Sequence, residues 1–154
     1  MSMSSWSTDE LIGALRAPTD WRTVPASIGA EEWADLREWV EWFRDRYRLD
    51  YRVVPPCWYL HGALVDLLTA LRDHHEYAFS GLQAGPAATE WHRMLLDLEP
   101  RLRDWVSRNG CTRDEHREDV TVVWPDDVAR WTVYVSEDAQ RRAAAEQAQP
   151  LDEP

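Results

Sequence analysis

The chain predicts an all-α fold, a compact bundle of three long helices with one or two lesser ones. Three observations carry that expectation. Three stretches repeat apolar residues at helical spacing. Proline and glycine punctuate the chain between those stretches rather than within most of them. Large rings, ten of them tryptophan, fall mostly on the apolar stripes, where they can fill the centre of a small domain.

The elements follow in order. Ser7 or Thr8 can cap a short helix over DELIGALRA, which stops before Pro18. Residues 18–28, with Pro18 and Pro25, read as a loop. Residues 29–48 form the clearest helix, with Trp33, Leu36, Val40, Phe43 and Tyr47 on one face. Trp39 lies on the flank of that stripe, and Trp42 lies away from it among charged residues. Pro55-Pro56 then sets an extended approach and launches a second helix at about Cys57. Leu60, Leu64, Leu67, Leu68 and Leu71 make its stripe, which ends near Tyr77 and Phe79.

A third helix runs from about Ala87 to Ser107, with Ala88, Trp91, Leu95, Leu98, Leu102 and Trp105 on one face. Pro100 removes an amide donor in its middle, and the unbroken stripe predicts one kinked helix rather than two. Asn109-Gly110 stops it. Residues 111–119 are a charged loop, and VTVVW at 120–124 reads as a short extended segment. Pro125-Asp126-Asp127 starts a last helix with Val128, Trp131, Val135 and Ala139 on one face. Alternation of Trp131, Val133 and Val135 supports a competing strand, and helix is the preferred reading. The organisation expected is a flexible N-terminus over residues 1–8, one helical domain over 9–142, and an acidic disordered tail over 143–154.

Charge narrows the partners. There are 28 acidic residues against 17 basic ones, all arginine, for a net charge of −11. Direct binding to nucleic acid needs a basic footprint and is not expected. The acidic surface suits a basic protein, or a protein whose DNA-binding groove it would block; solubility is the simplest use. No stretch has the apolar length of a membrane span, and no signal peptide is recognisable. Two cysteines without an export signal suit reduced thiols in a cytoplasmic protein.

Those two cysteines are the residues of chemical interest. Each has a histidine downstream: Cys57 with His61, and Cys111 with His116. Thiolate and imidazole are preferred zinc ligands. Cys57 and His61 would share the first turn of the second helix, and an antiparallel third helix would return Cys111 and His116 to that end. Four protein ligands would make a closed, structural zinc site. The plainer alternative is no cofactor at all: two small buried hydrophobes, with histidines at caps and surfaces. Cys57 as a nucleophile with His61 as base is a third reading, without an orienting carboxylate to support it. His74 and His75 suit a helix C-terminus, and His92 a surface.

No phosphate-cradling loop, metalloprotease helix, nucleophile elbow or paired catalytic carboxylates occur, so no catalytic residue is assigned. Trp39 and Trp42 are the candidate partner-binding residues. A ring among charges resembles an interface anchor, for another protein or for a homodimer, unless a neighbouring segment covers it.

The run Cys57-Trp58-x-x-His61-x-Ala63, with Leu71, Trp91-His92, Cys111 and His116, resembles an uncharacterised family of small actinobacterial proteins. Its members are typically encoded on plasmids, integrative elements and phages. The likeness spans roughly residues 55–117. It implies a cytoplasmic mobile-element accessory protein whose Cys/His positions are structural, and it brings no activity. The function expected is therefore a non-enzymatic, acidic accessory protein that binds another protein. The alternative is a zinc-stabilised regulatory domain with a Cys2His2 structural site.

Overall fold

A computed structural model describes residues 17–148. Four α-helices occur there: α1 (Ala26–Tyr47), α2 (Gly62–Ala78), α3 (Pro86–Asn109) and α4 (Val128–Ala148). A 3-10 turn, Trp58–Leu60, precedes α2, and no strand is present among the described residues. The all-α architecture therefore holds. The helix expected over DELIGALRA lies almost entirely outside the described residues. Two compact units part between Val120 and Thr121, within the span the sequence reads as one domain.

In the first unit, α2 contacts both α1 and α3. Its buried arc is correspondingly wide, taking in Leu64, Val65, Leu68, Thr69, Leu71, Arg72 and Ala78. Leu36, Trp39, Val40 and Phe43 face it from α1, and Trp91, Leu95, Leu102 and Val106 belong to the same core from α3. Trp91 is fully buried, stands edge-on to Trp39 and donates its Nε1–H to the Tyr47 hydroxyl at 3.0 Å. A ring of this size ties α1 to α3 while keeping its one polar atom satisfied.

Two tryptophans depart from the expected stripes. Trp33 and Trp105 are each more than a third exposed. At about 100° per residue, each sits about 70° from the centre of its helix's buried arc. Heptad spacing drifts against the 3.6-residue turn, so the first and last members of a long stripe leave the seam. Trp39, taken as a flank residue, is inside the core and stacks on Phe43 at 4.8 Å.

Other boundaries also move. α1 begins at Ala26 rather than 29, because Pro25 is extended and has the fixed φ that suits a helix entrance. The preceding loop is pinned to α2. The Thr19 amide donates to Asp73 (3.0 Å), Trp21 Nε1–H donates to Thr69 Oγ1 (2.8 Å), and buried Arg72 donates to Thr19 Oγ1 and Asp73 (both 2.9 Å). Pro100 lies inside a continuous α3, as the unbroken stripe predicts.

In the second unit, residues 121–127 carry no regular structure, so the extended segment at 120–124 has no strand partner. α4 has the helical form preferred over the strand. It extends through 143–148, six positions into the span read as a disordered tail; its alanines and Gln147 favour helix. No residue of α4 is buried.

Trp91→Ala is expected to cost about 3–5 kcal/mol of stability, the range for deleting a fully buried ring. Trp105→Ala is expected to cost about 1 kcal/mol or less. Urea denaturation followed by circular dichroism measures both, and equal losses would place Trp105 in the core after all.

Candidate metal centre

Two segments outside the long helices carry the four Cys/His side chains. The first is the approach to α2. The sequence reading puts Cys57 and His61 in the first turn of that helix; instead the helix starts at Gly62. Backbone bonds in this stretch run from i+3 to i: Trp58 to Pro55, Leu60 to Cys57, and His61 to Trp58. His61 then takes extended dihedrals (φ −117°, ψ 105°), which an α-helix cannot pass through. This break leaves Leu60, expected on the core stripe, half exposed, while His61 is buried.

The second segment follows α3. Gly110 ends that helix in the left-handed region (φ 74°), and its amide bonds to Val106 O. A Cβ there would meet nothing closer than 3.5 Å, so the dihedral rather than space asks for glycine. The loop beyond folds back on itself: Thr112 N–H donates to Glu115 O at 2.9 Å, and Thr112 Oγ1 accepts from the Glu115 amide at 3.1 Å. That turn carries His116 back towards Cys111.

The four donor atoms lie within 4.8 Å of one another. His61 Nε2 is 3.6 Å from Cys57 Sγ and 3.2 Å from Cys111 Sγ, and His116 Nδ1 is 3.8 Å from Cys111 Sγ. Zinc bonds of about 2.3 Å to sulfur and about 2.0 Å to nitrogen, at the tetrahedral angle, set sulfur and nitrogen about 3.5 Å apart. The three distances lie close to that spacing. Three donor residues are buried and His116 is at the surface.

The surrounding groups orient these donors. His61 Nδ1 is 2.7 Å from Asp119 Oδ1. The carboxylate accepts the Nδ1–H, which fixes the tautomer and turns the Nε2 lone pair to the thiols. Asn109 Nδ2 lies 3.0 Å from the same nitrogen. Once Nδ1 donates to Asp119, the favourable orientation of that amide is the flipped one, oxygen inward. The Arg117 amide donates to Cys111 Sγ at 3.2 Å and helps fix the position of the sulfur. Asp119 and Asn109 were missed in the sequence. Nothing there separates Asp119 from Asp114, Glu115 and Glu118 in the same charged loop.

Burial, and next the neighbouring Cys111, push the Cys57 thiol up to about 11. Asp119 supplies the orienting carboxylate that the nucleophile reading lacked, but a thiol held up in this way opposes that reading, which needs a thiolate near neutral pH. A metal would have to displace the thiol proton, so its binding would release protons and strengthen as pH rises. Four protein donors fill a tetrahedral ion and leave no open position for a substrate.

The remaining sequence candidates lie elsewhere. Of the Trp39–Trp42 pair only Trp42 is at the surface, with two-fifths of its area exposed and its ring 4.7 Å from His75. Trp39 is not a surface anchor, because the buried arc of α1 extends to its side. His75 also touches Phe79 and Trp91, while His74 stacks on Trp91. His92 donates Nδ1–H to Ala88 O at 2.8 Å.

Comparison with family models, with curated proteins and with solved structures finds no match to this chain.

Asp119→Asn is expected to weaken zinc affinity about 10–100-fold without removing a ligand. Competition against a chromophoric chelator measures it, and an unchanged affinity would remove Asp119 from the site. His75 generates a separate pH dependence. Burial, then His92 and His74, hold its pKa below the ordinary 6.5. Its contribution to stability is full above that value and is lost as pH falls through the lower folded-state pKa. His75→Gln is therefore expected to shrink the drop in Tm between neutral and acidic pH.

Proposed function

We propose that this chain is a non-enzymatic interaction module whose helical fold is closed by a Cys2His2 structural zinc site. The observation that carries the metal reading is the meeting of four donors within 4.8 Å of one another, with His61 oriented by Asp119. Buried thiols and an imidazole have little else to do at such distances. Zinc binding would then be part of the folding free energy, as it is for other small metal-stabilised domains.

The purified protein should contain one zinc per chain by elemental analysis. Cobalt substitution should yield the visible absorption of a tetrahedral thiolate site. Cys111→Ser should abolish both signals and lower Tm, and a chelator should lower Tm in the wild type alone. A metal-free protein whose Tm ignores both zinc and chelator would sink the reading.

The interaction reading is supported by the second unit. Val128, Trp131 and Val135 lie at i, i+3 and i+7 of α4, and all three are exposed. Trp124, Val122 and Val123 before it are exposed too. Anchors at that spacing are how an amphipathic helix enters a groove on another protein. Such a module would suit the accessory role implied by the actinobacterial mobile-element resemblance, and a zinc-stabilised regulatory domain is the variant of the same idea. Trp131→Ala should leave the unfolding free energy within about 0.5 kcal/mol of wild type, as at an exposed site, and should weaken association. Light scattering across a concentration series separates self-association from binding to a different protein. A large loss of stability would show instead that Trp131 packs within its own chain.

A further inference from the structure

We propose that the cleft between α1 and the 3-10 turn binds a small planar anion, an aromatic ring bearing a carboxylate. The cleft encloses about 520 Å³ and is lined by Trp33, Arg37, Glu41, Arg44, Trp58 and Tyr59. That volume suits a small ligand. The aromatic wall is held in place. Trp33 lies between Trp21, with ring centroids 4.3 Å apart, and Trp58, at 6.2 Å. Trp21 in turn is tethered through its indole nitrogen to Thr69. Such a wall can take a flat ring against it without reorganising.

The polar side points to an anion. Arg44 Nε is buried and has no hydrogen-bond acceptor. That N–H is closed off from solvent, so a carboxylate in the cleft would meet the guanidinium through its outer nitrogens, in the strong charge-assisted bond of such a pair. Glu41 does not supply it: its carboxylate is bonded to Arg37 Nε at 2.9 Å. Two guanidiniums against one carboxylate leave the cleft with a single net positive charge, in a chain whose net charge is −11. One surplus charge matches a carboxylate better than a phosphate dianion. A free aromatic acid and the C-terminal aromatic residue of a peptide present the same chemistry.

The test is a titration of the zinc-loaded full chain, followed by the indole N–H resonances of Trp33 and Trp58 in two-dimensional NMR. Indole-3-acetate is the free-acid probe, the tripeptide Gly-Gly-Trp the peptide probe, and indole-3-ethanol the neutral control. The acid is expected to shift both resonances saturably and to bind about tenfold or more tighter than the alcohol, the scale of one charge-assisted hydrogen bond. Arg44→Gln should remove that preference, and Arg37→Gln, at an exposed position, should weaken the acid severalfold. A tighter tripeptide would identify a peptide terminus as the source, and a tighter free acid a metabolite; either supports the site. Equal binding of acid and alcohol, or no saturable shift at Trp33 and Trp58 with any of the three, would overturn it. Should Arg44→Gln lose its helical circular dichroism, the acid-to-alcohol ratio and Arg37→Gln decide alone.

Discussion

The contact on which this fold depends is the meeting of two short non-helical segments, one before α2 and one after α3. It joins residues about fifty positions apart in sequence, and it fixes the end of the α2–α3 pair that helix packing alone leaves open. Without a bridging ion the contact is poor chemistry. Two buried thiols and a buried imidazole sit at 3.2–3.6 Å, and a thiol is a weak hydrogen-bond donor. The raised pKa of Cys57 is the expression of that poverty: burial, and next the neighbouring Cys111, disfavour its charge. A divalent cation would reverse the balance, because it would stabilise both thiolates and use the one lone pair that Asp119 leaves His61 to offer.

The same dependence explains the shape of the local backbone. A continuous helix through residues 57–61 would have been the simpler structure, and Pro55-Pro56 invites it. In its place the chain runs through a 3-10 turn and an extended His61. The buried side chains at 57, 58 and 61 then face inward and Tyr59 and Leu60 face out. In a regular helix, 57 and 61 would be neighbours on one face, but Leu60 would join Leu64 and Leu71 on the core stripe. The turn exchanges one apolar contact for a donor geometry.

How much was legible follows from what each signal measures. Apolar periodicity located α1, α2, α3 and α4 because burial on one side of a helix leaves a repeating trace. It blurred at the stripe ends, where Trp33 and Trp105 fit a heptad but lie about 70° off the buried arc of a 3.6-residue turn. It also missed Trp39, because a flank position is buried or exposed according to how widely the neighbouring helix wraps it, which the helix's own sequence does not encode. The Cys/His couples were visible as residue types. Asp119 was not, since an outer carboxylate has no spacing rule and lies among identical charges. The second unit was visible only as a pattern. Its apolar positions predict a buried face, and α4 has no buried residue.

That contrast separates two uses of apolar surface in one small chain. In the first unit the large rings are interlocked: Trp39, Phe43, Trp91 and Tyr47 touch one another, and Trp21, Trp33 and Trp58 form a second stack. The second stack reaches the surface through Tyr59, and Tyr59 and Pro56 line the aromatic cleft on one side and the approach to Cys57 and His116 on the other. Cys57 and Trp58 are consecutive. Whatever holds the cysteine therefore sets the position of the ring beside it, and a change at the thiol would be felt in the cleft through a single peptide bond. The Cys/His cluster and the aromatic wall are two faces of one five-residue turn, so a closed metal site as proposed would govern the geometry of the proposed binding cleft.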